Sequence, residues 1–188
     1  MHRSETMRLE EVASISQGIP LNRIRIKKNM DTRKEDVYSF EKESQILVPL
    51  NIEEAEQHIP LAEEDMILLN LTSYRAKKIL KEDIGKIVPS NYIIIEIRNK
   101  NIVNPDYLEW YMDKSQNFAR ELHKIKQGST ILSIPINEFR KIKLRLPDIQ
   151  FQRKVGKINE LNRKREELYK EKKELIEKLL ITMDEGEH

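Results

Sequence analysis

The chain has no cysteine, only five glycines and seven prolines, and a single tryptophan in 188 residues. Without cysteine there is no disulfide framework, no zinc ribbon and no thiol nucleophile. The four histidines, His2, His58, His123 and His188, are scattered; none pair at ligand spacing and no HExxH occurs, so no metal site is expected. Gly18, Gly85, Gly128, Gly156 and Gly186 compose neither a GxGxxG nor a phosphate-cradling loop, which removes local support for a nucleotide fold. Paired carboxylates occur only in runs such as Glu53-Glu54 and Glu63-Glu64-Asp65, and these read as solvated faces. No apolar run approaches the roughly 18 residues that a membrane span needs. Met1-His2-Arg3-Ser4-Glu5 lacks the apolar core of a signal peptide. The chain is therefore expected to have no catalytic residue, no metal, no cofactor and no membrane partner, and nothing argues for secretion.

What the chain has in abundance is charge, arranged in blocks. The formal total is +2. Residues 21–34 carry Arg23, Arg25, Lys27, Lys28, Arg33 and Lys34 against Asp31 alone. Residues 41–66 carry Glu41, Glu43, Glu53, Glu54, Glu56, Glu63, Glu64 and Asp65 against Lys42. Basic character returns over 75–100 and again over 114–147, where only Glu121 and Glu138 oppose. From Asp148 onward bases and acids balance. A solvated surface accounts for any one block, but three basic blocks without a catalytic motif point to a polyanion.

The length suits one domain with an appendage. Arg8 to Ser16 reads as a short helix or strand entry, broken at Gln17-Gly18-Ile19-Pro20. The basic stretch 21–40 begins as a long loop. Ile46 to Pro49 and Asp65 to Leu71 are short apolar runs suited to buried strands, and Asn91 to Ile97 is the clearest strand of all. From Asn104-Pro105 the pattern turns helical, with Asn104 as N-cap and Pro105 at the first helical position. A second helix follows through Phe118, Leu122 and Ile125, then a turn at Gln127-Gly128-Ser129-Thr130 and a short helix over 135–139. Lys141 to Leu146 alternates strictly, as a half-buried strand does, and Pro147 ends it. A continuous helix follows, with Ile158, Leu161, Leu168, Leu175 and Leu179 on a heptad seam that Arg165 and Lys172 interrupt. At 1.5 Å per residue such a helix reaches roughly 50 Å, beyond the domain that carries it, which favours a partner helix.

Three stretches carry the nucleic-acid reading. Arg23 to Lys34 is basic and loop-like; Leu71 to Lys78 mixes Thr72, Ser73, Tyr74, Arg75, Lys77 and Lys78; Lys124 to Thr130 is a turn with amide, hydroxyl and lysine groups. Arg and Gln read base edges bidentately, whereas Lys, Ser and Thr mostly hold phosphates. The fragment Asn104-Pro105-Asp106-Tyr107 resembles the Asn-Pro-Pro-Tyr motif of amino-methyltransferases, but Asp106 replaces the second proline and no glycine-rich cofactor loop lies upstream. A helix start explains Asn104 and Pro105 without chemistry, so the chain reads as a non-enzyme.

The ordered series Asn104-Pro105-Asp106-Tyr107-Leu108, QGSTILSI at 127–134, KIKLRLPDIQFQRKVGKI at 141–158 and the long helix resembles the specificity subunit of type I restriction–modification systems. In that family a target recognition domain ends in an I-x-L-P strand followed by a Gln and a dimer-forming helix. Here those elements match Ile142 to Pro147, Gln152 and the helix to Ile181. Leu9-Glu10-Glu11-Val12, Gly18, EEDMILL at 63–69 and the strand after Pro89-Ser90-Asn91 are similar too.

The resemblance implies an α+β fold. A mixed-sheet target recognition domain with short helices spans 1–147, a long helix spans 148–182 and forms an antiparallel coiled coil, and a disordered tail covers 183–188. A full family member has two recognition domains and two long helices; this chain has one of each, so it resembles a half-subunit, or a fragment of a longer subunit. The implied function is sequence-specific binding of double-stranded DNA, directing cytoplasmic methyltransferase subunits, with a nuclease–translocase subunit as an optional further partner, to a symmetric split site. The expected DNA contacts are Arg23, Arg25, Lys27, Lys28, Tyr74, Arg75, Lys77, Lys78, Lys126, Gln127, Ser129 and Thr130, with the basic blocks lining one cleft. The expected dimer contacts are Ile158, Leu161, Arg165, Leu168, Lys172, Leu175 and Leu179, toward a second copy or a different half-subunit. The rival reading is a coiled-coil adaptor that binds protein and no DNA.

Overall fold

A sheet whose central strand is apolar on both faces must be covered on both, and the architecture follows from that requirement. The computed structural model describes residues 5–24, 32–40, 44–49, 58–127 and 134–185. Its elements are β1 (Glu5–Arg8), α1 (Leu9–Val12), β2 (Ala13–Gln17), β3 (Thr32–Val37), β4 (Ser44–Pro49), β5 (Ile67–Asn70), β6 (Ala76–Lys78), β7 (Tyr92–Ile97), α2 (Pro105–Lys114), α3 (Gln116–Gln127), α4 (Ile136–Arg140), β8 (Lys143–Leu146) and α5 (Ile149–Glu185). Single 3₁₀ turns lie at Leu21–Arg23 and Lys81–Asp83.

The main sheet has the order β2-β7-β5-β6, with every pairing antiparallel. Ile93 and Ile95 of β7 face a core shared with Ile67 and Leu69 of β5 and with Tyr107, Leu108, Tyr111 and Phe118 of the helices. Ile94 and Tyr92 face the other way, against Tyr38, Met66, Leu68 and Val88. All four of these β7 residues are buried, so each isoleucine is worth about 1.5–3 kcal/mol of apolar burial. A third, distal cluster, Ile19, Val48, Ile59 and Ile87, lies beneath the β3–β4 hairpin. The β1–β8 pair closes the first core, and β8 shows the expected alternation, with Leu144 and Leu146 inside and Lys143 and Arg145 outside.

The fold class is α+β, as expected, with one difference inside it. The sheets are not mixed ladders: every named pairing is antiparallel, and among the described residues parallel geometry occurs only at the isolated bridges Ile19↔Pro89 and Val37↔Ile87. Gly18 makes that first bridge possible. A Cβ there would sit 2.1 Å from the Pro89 carbonyl oxygen, so only glycine lets the two backbones meet. Part of the basic stretch expected as loop pairs as β3, because Thr32 to Val37 finds a partner in β4. The long helix runs three residues beyond 182, to Glu185, and among the described residues no helix is long and apolar enough to cross a membrane.

Candidate nucleic-acid interface

The root of α5 is fixed to the domain by three devices. Asp148 accepts a hydrogen bond from the Phe151 N–H at 3.0 Å, capping the helix immediately after Pro147. Gln152, only 1% exposed, accepts from the Asn104 N–H at 3.0 Å and donates to the carbonyls of Ile102 and Pro147 at 3.0 and 2.8 Å. All its amide hydrogens and one acceptor position are thereby used, as burial demands. Gly156 then lets the start of α2 come close: a Cβ would lie 2.4 Å from Asn104 Oδ1. That oxygen accepts from the Tyr107 N–H at 2.9 Å, so Asn104 serves as the N-cap of α2 with Pro105 at its first position. The motif that resembles a methyltransferase signature is accounted for as a helix start buttressed by α5.

One turn further along α5, polar groups take over. Glu109, buried on α2, accepts from Arg163 Nη1 at 2.7 Å, from Asn159 Nδ2 at 3.0 Å and from the Lys78 N–H at 3.1 Å. Burial still pushes its carboxyl above the ordinary range, against the pull of Arg163. Asp106 pairs with Lys78 at 2.7 Å, and Lys78 also lies 3.6 Å from Asp65, which Lys100 holds at 2.6 Å. Burial opposes the Asp65 charge, but hydrogen bonds and charge from Lys100 and Lys78 overcome it and lower its pKa.

The expected DNA contacts divide accordingly. Lys78 is half-buried in that network, between β6 and α2. Arg75 grips Asp113 bidentately, Nε to Oδ1 at 2.5 Å and Nη2 to Oδ2 at 2.9 Å. Lys77 points outward over the Phe40 ring, 4.6 Å from its centroid. Tyr74 takes the left-handed conformation (φ 56°) at the tip of the β5–β6 hairpin, where Asn70 Oδ1 accepts from the Thr72 and Ser73 N–H groups, and it packs against the core. Arg23 ends its 3₁₀ turn exposed, on a concavity beside His58 and Glu63. Lys126 and Gln127 close α3; their side chains, and residues Arg25, Lys27, Lys28, Ser129 and Thr130, lie outside the described residues.

The described residues of the basic blocks do not share one cleft. Arg75, Lys77 and Lys78 border a groove of about 540 Å³ between β6, α2 and α5. Arg23 borders a different concavity, over β2 and β7. Lys124, Lys143 and Arg145 surround a third, of about 570 Å³, with Arg120 beside them. Arg120, Lys143 and Arg145 were not singled out from the sequence. The available signal was spacing: 120 and 124 share a helix face, and 143 and 145 share a strand face. Charge blocks mark runs along the chain, whereas a sheet distributes them to different edges.

The heptad side chains of α5 are largely exposed. Ile158, Leu161, Leu168, Leu175 and Leu179 are 54–65% exposed, and so are Tyr169, Leu180, Ile181 and Met183. Arg165 and Lys172, on the same seam, are exposed as well. The second column, Tyr169, Ile176, Leu180 and Met183, was missed because a strict heptad counts one seam, and these residues lie one step to its side.

No family model and no curated protein matches the sequence. The fold, however, is similar to solved structures. One is the S subunit of the type I restriction–modification system of M. genitalium, with a TM-score of 0.58 at 16% identity, covering 90% of this chain and 41% of that one. A second comes from a study of complex assembly and conformational transition in a type I R-M system, with a TM-score of 0.58 at 14% identity, covering 89% of this chain and 44% of that one. A third is the HsdS subunit of Thermoanaerobacter tengcongensis, with a TM-score of 0.53 at 10% identity, covering 86% of this chain and 38% of that one. The chain thus has the fold seen in type I specificity subunits and spans about two-fifths of their length.

Proposed function

We propose that the chain is a DNA specificity half-subunit. Its domain reads one short half-site of duplex DNA, and the outer part of α5 pairs antiparallel with the same helix of a second copy. The dimer directs methyltransferase subunits, joined in restriction by a nuclease–translocase subunit, to a symmetric split site in the cytoplasm. It performs no chemistry itself and takes no cofactor.

The observation that carries this reading is the likeness of fold to specificity subunits over nine-tenths of the chain. Two local features support it. The one fragment with a catalytic look is occupied as a helix cap. The helix that leaves the domain exposes an apolar seam of the kind that two-fold pairing buries. The DNA contacts proposed are Arg23, Arg25, Lys27, Lys28, Tyr74, Arg75, Lys77, Lys78, Lys126, Gln127, Ser129 and Thr130. Lys77 is the outward-facing member of its strand and suits phosphate contact. Arg75 carries the bidentate fork that base edges need, and reaching DNA would require it to exchange Asp113.

Binding of a pool of random-sequence duplexes, followed by fluorescence anisotropy across salt, tests this. With about six phosphates neutralised, log affinity should fall against log salt with a slope near −5. Failure to retain any duplex at low salt would leave the protein-binding adaptor as the better account.

A further inference from the structure

We infer that the cavity between α3, β1 and β8 is a phosphate-binding site for the backbone of duplex DNA, separate from the contact loops named above. The inference rests on the DNA-binding reading and extends it to a surface that reading does not include. Four cations surround the cavity, Arg120 and Lys124 from α3 and Lys143 and Arg145 from β8, against one acid, Glu121. Glu121 is taken by Lys124 at 2.5 Å. Among the described residues Arg120 hydrogen-bonds neutral groups, Asn117 Oδ1 at 2.6 Å and the Gln116 carbonyl at 3.3 Å. No described acid pairs with Lys143 or Arg145. Among the described residues, three positive charges therefore remain uncompensated around a single concavity.

The lining also supplies neutral donors. The Tyr111 ring is buried, and its hydroxyl oxygen accepts from the Arg145 N–H at 3.3 Å. That leaves the phenolic proton without a described acceptor, on a residue that lines the cavity. Thr6 on β1 adds a second hydroxyl. Guanidinium, ammonium and hydroxyl donors around one space form a set that suits phosphate oxygens.

The spacing suits a polymer better than a lone ion. Residues 120 and 124 lie one above the other on a helix face, about 6 Å apart, and 143 and 145 lie about 7 Å apart along a strand face. These two rows present charge repeatedly along a line. Continuity with the proposed contacts favours DNA as the occupant: α3 leads from Lys124 directly to Lys126 and Gln127, both already proposed to touch DNA.

The test uses the full chain and a fluorescein-labelled 30-base-pair duplex of mixed sequence. The triple variant Arg120→Gln, Lys143→Gln, Arg145→Gln is compared with a charge-matched control, Lys154→Gln, Lys173→Gln, Lys178→Gln. The cavity variant should bind about 10- to 100-fold more weakly at 0.1 M salt and flatten the salt slope by roughly 2–3 units, at about 0.9 per lost contact. The control should keep both values. Far-UV circular dichroism melts establish that the variants fold; should the triple fail to, Arg145→Gln alone should flatten the slope by about 1. A cavity variant with the wild-type slope, or a control that loses as much, overturns this site while duplex binding by the wild type leaves the wider reading standing. A wild-type chain that binds no duplex overturns both.

Discussion

The two ends of α5 are built from similar residues and have opposite environments. Over Ile149 to Arg163 the helix buries Gln152, closes on α2 through Gly156 and locks Arg163 to Glu109. Over Lys164 to Glu185 it has a balanced charged surface and a column of exposed leucines. Periodicity alone does not separate these halves. What separates them is where the domain ends, and the contrast teaches that one helix performs two tasks. In the proposed dimer its root sets the direction in which the domain is held, and its tip would supply the surface for a second chain.

If that division is right, substitutions at the root damage the fold of one chain, while substitutions at the tip damage only association. The largest effect is expected at Gly156. In an ordinary helix Gly→Ala gains up to about 1 kcal/mol. Here Gly156→Ala should instead lose about 2–3 kcal/mol in urea unfolding, because the new methyl meets Asn104 Oδ1 and the α2 backbone. A stabilised variant would break the comparison at once.

Arg163→Ala comes next. It leaves Glu109 buried with Asn159 and the Lys78 N–H as its remaining described partners, a loss of about 2 kcal/mol at pH 7. The pH dependence has a definite sign. Glu109 already has a raised pKa, so its charged form is the one the fold disfavours, above the unfolded value near ~4.3. Without Arg163 the disfavour grows, so the variant's deficit should be largest at neutral pH and shrink as pH falls through that range. A deficit that stays constant from pH 7 to pH 4 would show that the arginine acts through packing alone.

Leu168→Glu with Leu175→Glu should leave the unfolding free energy of the monomer within about 0.5 kcal/mol, since both side chains are exposed on the part of the helix beyond the domain. The same pair should abolish dimers in sedimentation at micromolar concentration. Wild-type protein that sediments only as monomer contradicts the two-fold pairing. The smallest effect belongs to Glu160, whose carboxyl Lys157 and Lys164 hold down at about 2. Its two lysine partners are exposed, and Glu160→Gln should move the melting temperature by about a degree or less.

Much of the fold was legible because its signals are local. The apolar run Tyr92 to Ile97, the Asn104-Pro105 helix start and the alternation of Lys143 to Leu146 each specify their element without help from the rest of the chain. Pairing direction was not legible, since a short apolar run fits parallel and antiparallel neighbours equally, and the expected mixed sheet proved to be antiparallel ladders. The interface was legible only in part. Basic side chains can be counted in a sequence, but their partners cannot. Nothing before Asp106 and Asp113 in the chain announces that Lys78 and Arg75 will each meet a carboxylate on α2. The cavity basics were hidden for the converse reason: Arg120 and Arg145 are 25 positions apart and meet only once α3 packs beside β8.

The most direct test of the specificity role is to express the chain with a type I methyltransferase subunit and map every methylated position in the host DNA. The account predicts methylation at one two-part sequence whose half-sites are inverted copies of each other, lost when the chain is omitted and weakened by Leu168→Glu with Leu175→Glu. Methylation that persists unchanged without the chain, or that follows no split symmetric sequence, would contradict it.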